Sequence, residues 1–557
     1  MLTLSMRNVL SLKPYFLFIF FLFYSPVLFS ENKKFDSLIQ ARIQRMTVEE
    51  KVGQLFLVGF PQNQLSADLE KFIATFKPGA FLLFKRNIQS VTQIREFNQA
   101  LYRASFKHTR LPPLIAIDQE GGSVSRLPIE PSPPNALALG QTQSPLLAEE
   151  MGHQMGLFLR EVGFNMNLAP VLDIADPLQS SFIGVRSFGA NPALVAEIGT
   201  AYSRGLLRAR VIPTAKHFPG TGSLNSDPHV KVVRNLSSYS QLQERDLKPF
   251  VAYAGLSENS AMMLSHLIYP SLDRSGEPAS FSRQITEGLL REKLRYQGLV
   301  VTDDLQMQGS KQLLRPEVAA LRALQAGSDI VMLTWSFKDQ EAAFNYVKKA
   351  VTEGRLSEAE INSKLKRILR VKAYANLYRR DPQQPSLLQG LKLTSKGYIN
   401  LESDILDKNL QNSLALKSFP KSSAARAPAS VGNLCVISPS GKFIESFKKT
   451  SSRKISAKTL SGTFTANGVQ SWMQKQKCSL LVAAITGPKT ASLLGSFKPE
   501  QRRYVIAVNL AAPSLVRDTK GYLRVIQLYF NHADSGRKIA QHLEEILKDP
   551  ASSYVAL

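Results

Sequence analysis

Between about Phe35 and Tyr378, short apolar runs alternate with longer stretches of helical periodicity. The runs are "KVGQLFLVGF", "GAFLLF", "PLIAID", "FNMNLAPVLDI", "VIPTAKHF", "SAMMLSH", "GLVVTDD" and "SDIVML". None shows the in-out alternation of a strand with one wet face. Runs of this kind read as strands buried on both faces, and the lengths between them suit crossover helices. Eight such runs in one segment predict a (β/α)8 barrel of the TIM type.

Past that segment the pattern changes. From "RDPQQPS" to "LESDILDKN" the chain turns polar and rich in Pro, Gln and Ser, which reads as a linker with a short helix following. New apolar runs then appear, "NLCVISPS", "CSLLVAAITGP", "RRYVIAVNL" and "YLRVIQLYF", closed by an amphipathic "SGRKIAQHLEEILKD". They predict a smaller α/β sandwich domain. At the other end, Arg7 and Lys13 precede an apolar run from Tyr15 to Phe29, in the order of a secretory signal. Leu28 is not the small residue expected before a cleavage point, so an uncleaved anchor is the alternative; either way the body of the protein is expected outside the cytoplasm. The expected organisation is a signal peptide over 1–30, a catalytic barrel over 35–380, a linker over 381–407 and a C-terminal domain over 408–557.

Composition adds limits rather than a function. The 557 residues carry a formal charge of +25, spread along the chain instead of gathered in one arm. Without a nucleic-acid motif, that balance argues against a nucleic-acid reader and for weak attraction to an anionic envelope surface. The densest basic cluster, "KKTSSRKISAK" at Lys448 to Lys458, reads as a solvated loop. The two cysteines, Cys435 and Cys478, lie beside apolar runs, and two buried free thiols are preferred to a bridge.

The candidate chemistry lies at the ends of the first eight runs. Asp118 and Glu120, Asn167 and Asp173, Lys216 and His217, His266, and Asp303 and Asp304 each follow an apolar run. Parallel barrels carry their reacting groups at strand C-termini, so this recurrence favours one shared site over independent turn formers. The richest stretch is "AKHFPGTGSLNSDPHV", in which Asp227 and His229 flank Pro228. A carboxylate beside an imidazole orients the ring and stabilises its charged form, as general acid/base work requires. Taken alone, Asp-Pro-His is a surface turn. Metal binding by His217, Asp227 and His229 is a second alternative, weakened by the lack of any other spaced His or Cys ligands.

The motifs "MTVEEKVGQLFLVGF", "IDQEGGSVSRL", "NLAPVLDI", "RSFGANP", "AKHFPGTG" with a downstream Asp-x-His, "PASFS" and "VTDDLQM" follow one another between Met46 and Leu333. In that order they resemble family 3 glycoside hydrolases, in the β-N-acetylglucosaminidase branch. The resemblance implies Asp303 as the nucleophile that forms a covalent glycosyl-enzyme, with Asp304 structural. It implies His229 as the acid/base and Asp227 as its partner, in place of a glutamate from the second domain. Asp118, Arg126, Arg186, Lys216 and His217 match positions that hydrogen-bond the sugar in the −1 subsite; Asn167 and Asp173 are either near that site or scaffold. Two positions depart from the pattern: Thr221, where a histidine is common, and Pro228, where a serine is common. The proline stiffens the loop that carries the acid/base.

The implied activity is that of a retaining exo-β-N-acetylglucosaminidase acting on β-linked N-acetylglucosamine glycans such as peptidoglycan fragments. No cofactor and no metal is required, and a monomer is expected. A family 3 β-glucosidase-type hydrolase, a phosphorylase and a non-catalytic glycan-binding protein are the competing readings.

Overall fold

The computed structural model describes residues 35–129, 133–176, 183–221, 233–307, 310, 313–376, 408, 433–451, 453–460, 465–486, 488–498, 505–510, 524–527 and 535–548. The expected signal segment and the whole of the expected linker lie outside the described residues, as do Asp227, Pro228 and His229.

Each of the eight apolar runs contains one barrel strand. In chain order they begin with β1 (Phe56–Val58), β2 (Ala80–Leu83) and β3 (Leu114–Ile117). A small antiparallel hairpin, β4 (Gln119–Gly121) and β5 (Val124–Ser125), follows β3 and stands apart from the barrel. The barrel resumes with β6 (Met166–Asn167), β7 (Ile212–Phe218), β8 (Ala261–Leu264), β9 (Leu299–Asp304) and β10 (Ile330–Leu333). Adjacent strands are parallel and close in the order β1-β10-β9-β8-β7-β6-β3-β2. Every residue of β2, β3, β7, β8 and β10 is buried, because helices cover one face and the packed barrel interior the other.

The covering helices start where short polar side chains can accept from the exposed N–H groups of a first turn. Ser66, Ser90, Ser144, Asn191 and Ser336 do this, and Thr47 with Glu50 forms a reciprocal capping box. The helices Pro145–Glu161 and Pro192–Arg208 approach closely enough that side chains are excluded between them. A Cβ on Gly205 would stand 2.0 Å from the Glu149 carbonyl oxygen, and one on Gly152 would stand 2.0 Å from that of Tyr202. On the other side of the barrel, buried Asp329 collects Arg291 (2.7 Å) and Arg367 (2.7 Å) and accepts the Val300 N–H (2.9 Å).

The later runs form a second, parallel sheet in the order β12-β11-β13-β14-β15. Its strands are β11 (Asn433–Ser438), β12 (Ile455–Thr459), β13 (Cys478–Ile485), β14 (Val505–Asn509) and β15 (Arg524–Gln527), with a closing helix Ser535–Lys548. Two expectations are corrected here. The basic stretch at Lys448 to Lys458 is not a loop: Lys448 and Lys449 end the helix Gly441–Thr450, and Lys458 lies on β12. That strand is a sheet edge, where exposed lysines blunt pairing with other chains, so its charge hid it from a hydrophobic reading. The two cysteines are bridged rather than free. β11 and β13 are direct neighbours, which brings the Cα atoms of Cys435 and Cys478 to 5.7 Å, inside the span of a disulfide.

Candidate active site

Asp118 lies just past β3, Asp173 past β6, Lys216 and His217 at the end of β7, His266 past β8, and Asp303 and Asp304 at the end of β9. All the strands run parallel, so these side chains share one rim of the barrel.

The centre of the described site is a buried chain of charges. Lys216 Nζ lies 2.7 Å from Asp118 Oδ1 and 2.7 Å from Glu120 Oε1. Glu120 also accepts Arg186 in a bidentate pair, Nε at 2.7 Å and Nη2 at 2.8 Å. Arg126 Nη2 approaches the other Asp118 oxygen at 3.8 Å. The Lys216 and Glu120 side chains are each only 4% exposed, and Asp118 is 14% exposed. Burial works to protonate Glu120, but Lys216 and Arg186 outweigh it and hold the carboxylate down to about 2. Burial likewise opposes the charge on Lys216, yet Asp118 and Glu120 raise its pKa above the ordinary lysine value. Lys216 and Arg186 therefore stay cationic and Glu120 anionic throughout the neutral range. Glu120 and Arg186 line a small cavity together with the apolar side chains of Met151, Met155 and Phe188 and with Tyr202.

The hairpin after β3 aims these groups. The Gln119 side chain spans it, donating to Ser125 Oγ (2.6 Å) and accepting from the Arg126 N–H (2.9 Å) and the Leu127 N–H (3.2 Å). Asn167 clasps the backbone of the same residue, accepting its N–H and donating to its carbonyl, both at 3.0 Å. Asn167 thus holds the hairpin that carries Asp118, Glu120 and Arg126.

Asp173 holds the next strand end. Its Oδ2 lies 2.6 Å from His217 Nδ1 and accepts the His217 N–H at 3.2 Å, while Oδ1 accepts the Thr221 N–H at 2.8 Å. His217 Nε2 makes no hydrogen bond within the described residues and is the ring nitrogen left to meet a ligand. A cis peptide joins Lys216 to His217. Close by, Gly220 has φ +109° and lies against Asp246, to whose Cβ an added side-chain carbon would come within 2.9 Å. Asp246 is buried, which pushes its pKa up to about 6 despite the nearby Arg245.

At β9, Asp303 is half-buried and its Oδ1 accepts the N–H of Asp304 at 2.8 Å. Asp304 points into the protein. It accepts the Gln306 N–H at 2.9 Å and the Thr334 hydroxyl, and burial pushes it up to about 6. His266 lies 2.9 Å from Ser280 Oγ through Nδ1 and 3.1 Å from the Asp304 carbonyl through Nε2. Adjacent aspartates on one strand end therefore differ: one is at the rim, the other is built into the scaffold.

Among the described residues, no three His, Cys, Asp or Glu side chains come together as metal ligands. Of the trio weighed above only His217 is described, and its Nδ1 faces Asp173.

The structure brings Asp118, Arg126, Arg186, Lys216 and His217 to one rim, with Asp303 on a strand two places from β7. Glu120 was visible in the sequence only as a polar residue after a strand, yet it links Lys216 to Arg186. The signal was its place two residues from Asp118 in the "DQEGG" turn. Asp246 gave no signal, since it lies within a helical segment far from any strand end.

The profile of the glycosyl hydrolase family 3 N-terminal domain matches residues 47–371, more than half of the chain. This chain belongs to glycosyl hydrolase family 3. The family 3 chain is 32% identical over 330 residues to the β-hexosaminidase A of Pseudoalteromonas piscicida, in a match that spans 55% of each protein. It therefore covers about half the length of that relative. It is 31% identical over 331 residues to a β-hexosaminidase of Pseudomonas aeruginosa, covering 59% of this chain and 94% of that one. Among solved structures, the family 3 β-N-acetylglucosaminidase of Paenibacillus sp. str. FPU-7 superposes with a TM-score of 0.77 at 28% identity, covering 90% of this chain and 97% of that one.

Proposed function

We propose that the protein is an exported, retaining exo-β-N-acetylglucosaminidase that removes the non-reducing terminal sugar from peptidoglycan or its muropeptide fragments. The observation that carries this reading is the buried Asp118–Lys216–Glu120–Arg186 chain on the same rim as Asp303, in a barrel whose relatives include β-hexosaminidases. Preset charged donors and acceptors suit a sugar's hydroxyls, because a wrong substrate leaves them buried and unpaired.

In the proposed reaction Lys216, Arg126, Arg186, Asp118 and His217 hold the terminal sugar. Asp303 attacks its anomeric carbon, forming a carbon–oxygen bond as the bond to the leaving oxygen breaks, and His229, oriented by Asp227, gives that oxygen its proton. Water then attacks the same carbon and yields a proton to His229, and Asp303 is released as carboxylate. The β-configuration is retained after two inversions. Export is supported by the N-terminal segment and by the Cys435–Cys478 bridge, which suits an oxidising compartment. Among the described residues no helix is long and apolar enough to cross a membrane. The net charge of +25 suits an acidic wall polymer.

The deciding assay compares cleavage of an aryl β-N-acetylglucosaminide with that of the matching glucoside, then product release from purified muropeptides with and without phosphate. Preference for the glucoside would sink the substrate assignment, and sugar phosphate as product would replace hydrolysis by phosphorolysis. Binding without turnover would mark a glycan-binding protein.

A further inference from the structure

The buried charge chain accounts for one terminal sugar, but one feature of the rim is left unused. Trp335 follows β10 and is 61% exposed. A large ring held in water at a barrel mouth invites a partner that covers it.

This ring is fixed in place. The Arg86 guanidinium lies over it at 4.7 Å and over the Phe84 ring, at the end of β2, at 4.3 Å. The two rings are 5.9 Å apart. Arg86 is itself tethered, donating to the Thr334 carbonyl (3.0 Å) and the Phe60 carbonyl (3.3 Å). The backbone N–H of Trp335 donates to Gln306 Oε1 (2.7 Å), and Gln306 donates from its side chain to Asp339 (2.8 Å) and from its backbone to Asp304 (2.9 Å). The backbone that carries the indole is thus connected, through Gln306, to Asp304, the residue next to Asp303.

Position assigns the occupant. The charge chain is enclosed and lies on the β3–β7 arc, whereas Trp335 is open to solvent and lies past β10, the neighbour of the strand that ends in Asp303. In an exo-acting enzyme the terminal sugar is enclosed and the remainder of the glycan leads outward to the open rim. We infer that Trp335, backed by Arg86 and Phe84, is a stacking platform for the second sugar ring of the substrate, on the leaving-group side of the bond that breaks. The apolar C–H face of a pyranose lies on the indole, and the fixed ring loses little freedom on binding. The inference rests on the proposed N-acetylglucosaminidase reading and adds the subsite that selects for a glycan over a simple leaving group.

The test uses the full-length protein with two substrates: a β-1,4-linked N-acetylglucosamine disaccharide, and β-N-acetylglucosaminyl fluoride, whose leaving group has no ring. Trp335→Ala is expected to lower kcat/KM for the disaccharide about tenfold (~1.4 kcal/mol), mostly through KM, and to leave the fluoride unchanged. Trp335→Tyr should recover most of the loss. An equal loss on both substrates, or none on the disaccharide, overturns the platform. A wild-type protein that cleaves neither substrate overturns the reading of function and the assigned occupant together.

Discussion

At Glu120 and Asp304, two buried carboxyls on the same rim are driven in opposite directions by their neighbours. Glu120 has two cations within 2.8 Å and is held at about 2, whereas Asp304 accepts hydrogen bonds from neutral donors, and burial raises it to about 6. The consequences for stability have opposite signs. Glu120 contributes about 3 kcal/mol that is present above its unfolded pKa of 4.5 and is lost as pH falls toward 2. Asp304 binds its proton more tightly when folded, so its contribution is present below 3.8 and is lost as pH rises through 6. Asp304→Asn keeps an acceptor for Gln306 and a partner for the Thr334 hydroxyl. It should gain about 1–3 kcal/mol relative to wild type between pH 4 and pH 7 in urea melts, and a flat difference would contradict the assignment. Glu120→Gln should remain folded at neutral pH but lose about 100-fold in kcat/KM, since Lys216 and Arg186 lose the anion that positions them. Asp303→Ala should abolish turnover with no change in the melting curve; retained activity there would refute the proposed mechanism.

At the scale of elements, strand ends carry the site and close helix packing supports them. The helices Pro145–Glu161 and Pro192–Arg208 meet through glycine, and Tyr202, on the second, lines the same cavity as Arg186 and Glu120. Gly205→Ala forces a methyl group against a backbone oxygen at 2.0 Å, so the helices must separate. The expected cost is about 1–3 kcal/mol, read by calorimetry, with a loss of activity larger than a distant destabilising substitution would cause. The eight barrel strands were legible in the sequence because burial on both faces requires uninterrupted apolar runs. β12 was not legible, because an edge strand has no such requirement and its one lysine, Lys458, resembles those of a loop. The contrast between Asp303 and Asp304 was legible only as a resemblance; the chain order "TDD" does not say which carboxyl turns inward.

For the whole molecule, the second sheet is pinned by one disulfide that spans 43 residues. On chain-entropy grounds a loop of that length stabilises by about 4 kcal/mol, and engineered removals average somewhat less. Replacing both cysteines with alanine should lower stability by about 2–4 kcal/mol, seen as an earlier unfolding transition, whereas an unchanged transition would mean that the bridge does not constrain the unfolded chain. The same pair illustrates what a linear sequence leaves open. By itself the sequence determined the eight barrel strands, the barrel class, a second α/β domain and the strand-end residues around Asp118, Lys216 and Asp303, because burial and local periodicity are properties of short segments. Only the tertiary structure decided that Cys435 meets Cys478, that Glu120 joins Lys216 to Arg186, that Asp173 orients His217, and that Trp335 stands in water over Arg86. Each of these is a meeting of groups far apart in the chain, and their distances and net charges depend on which strands become neighbours.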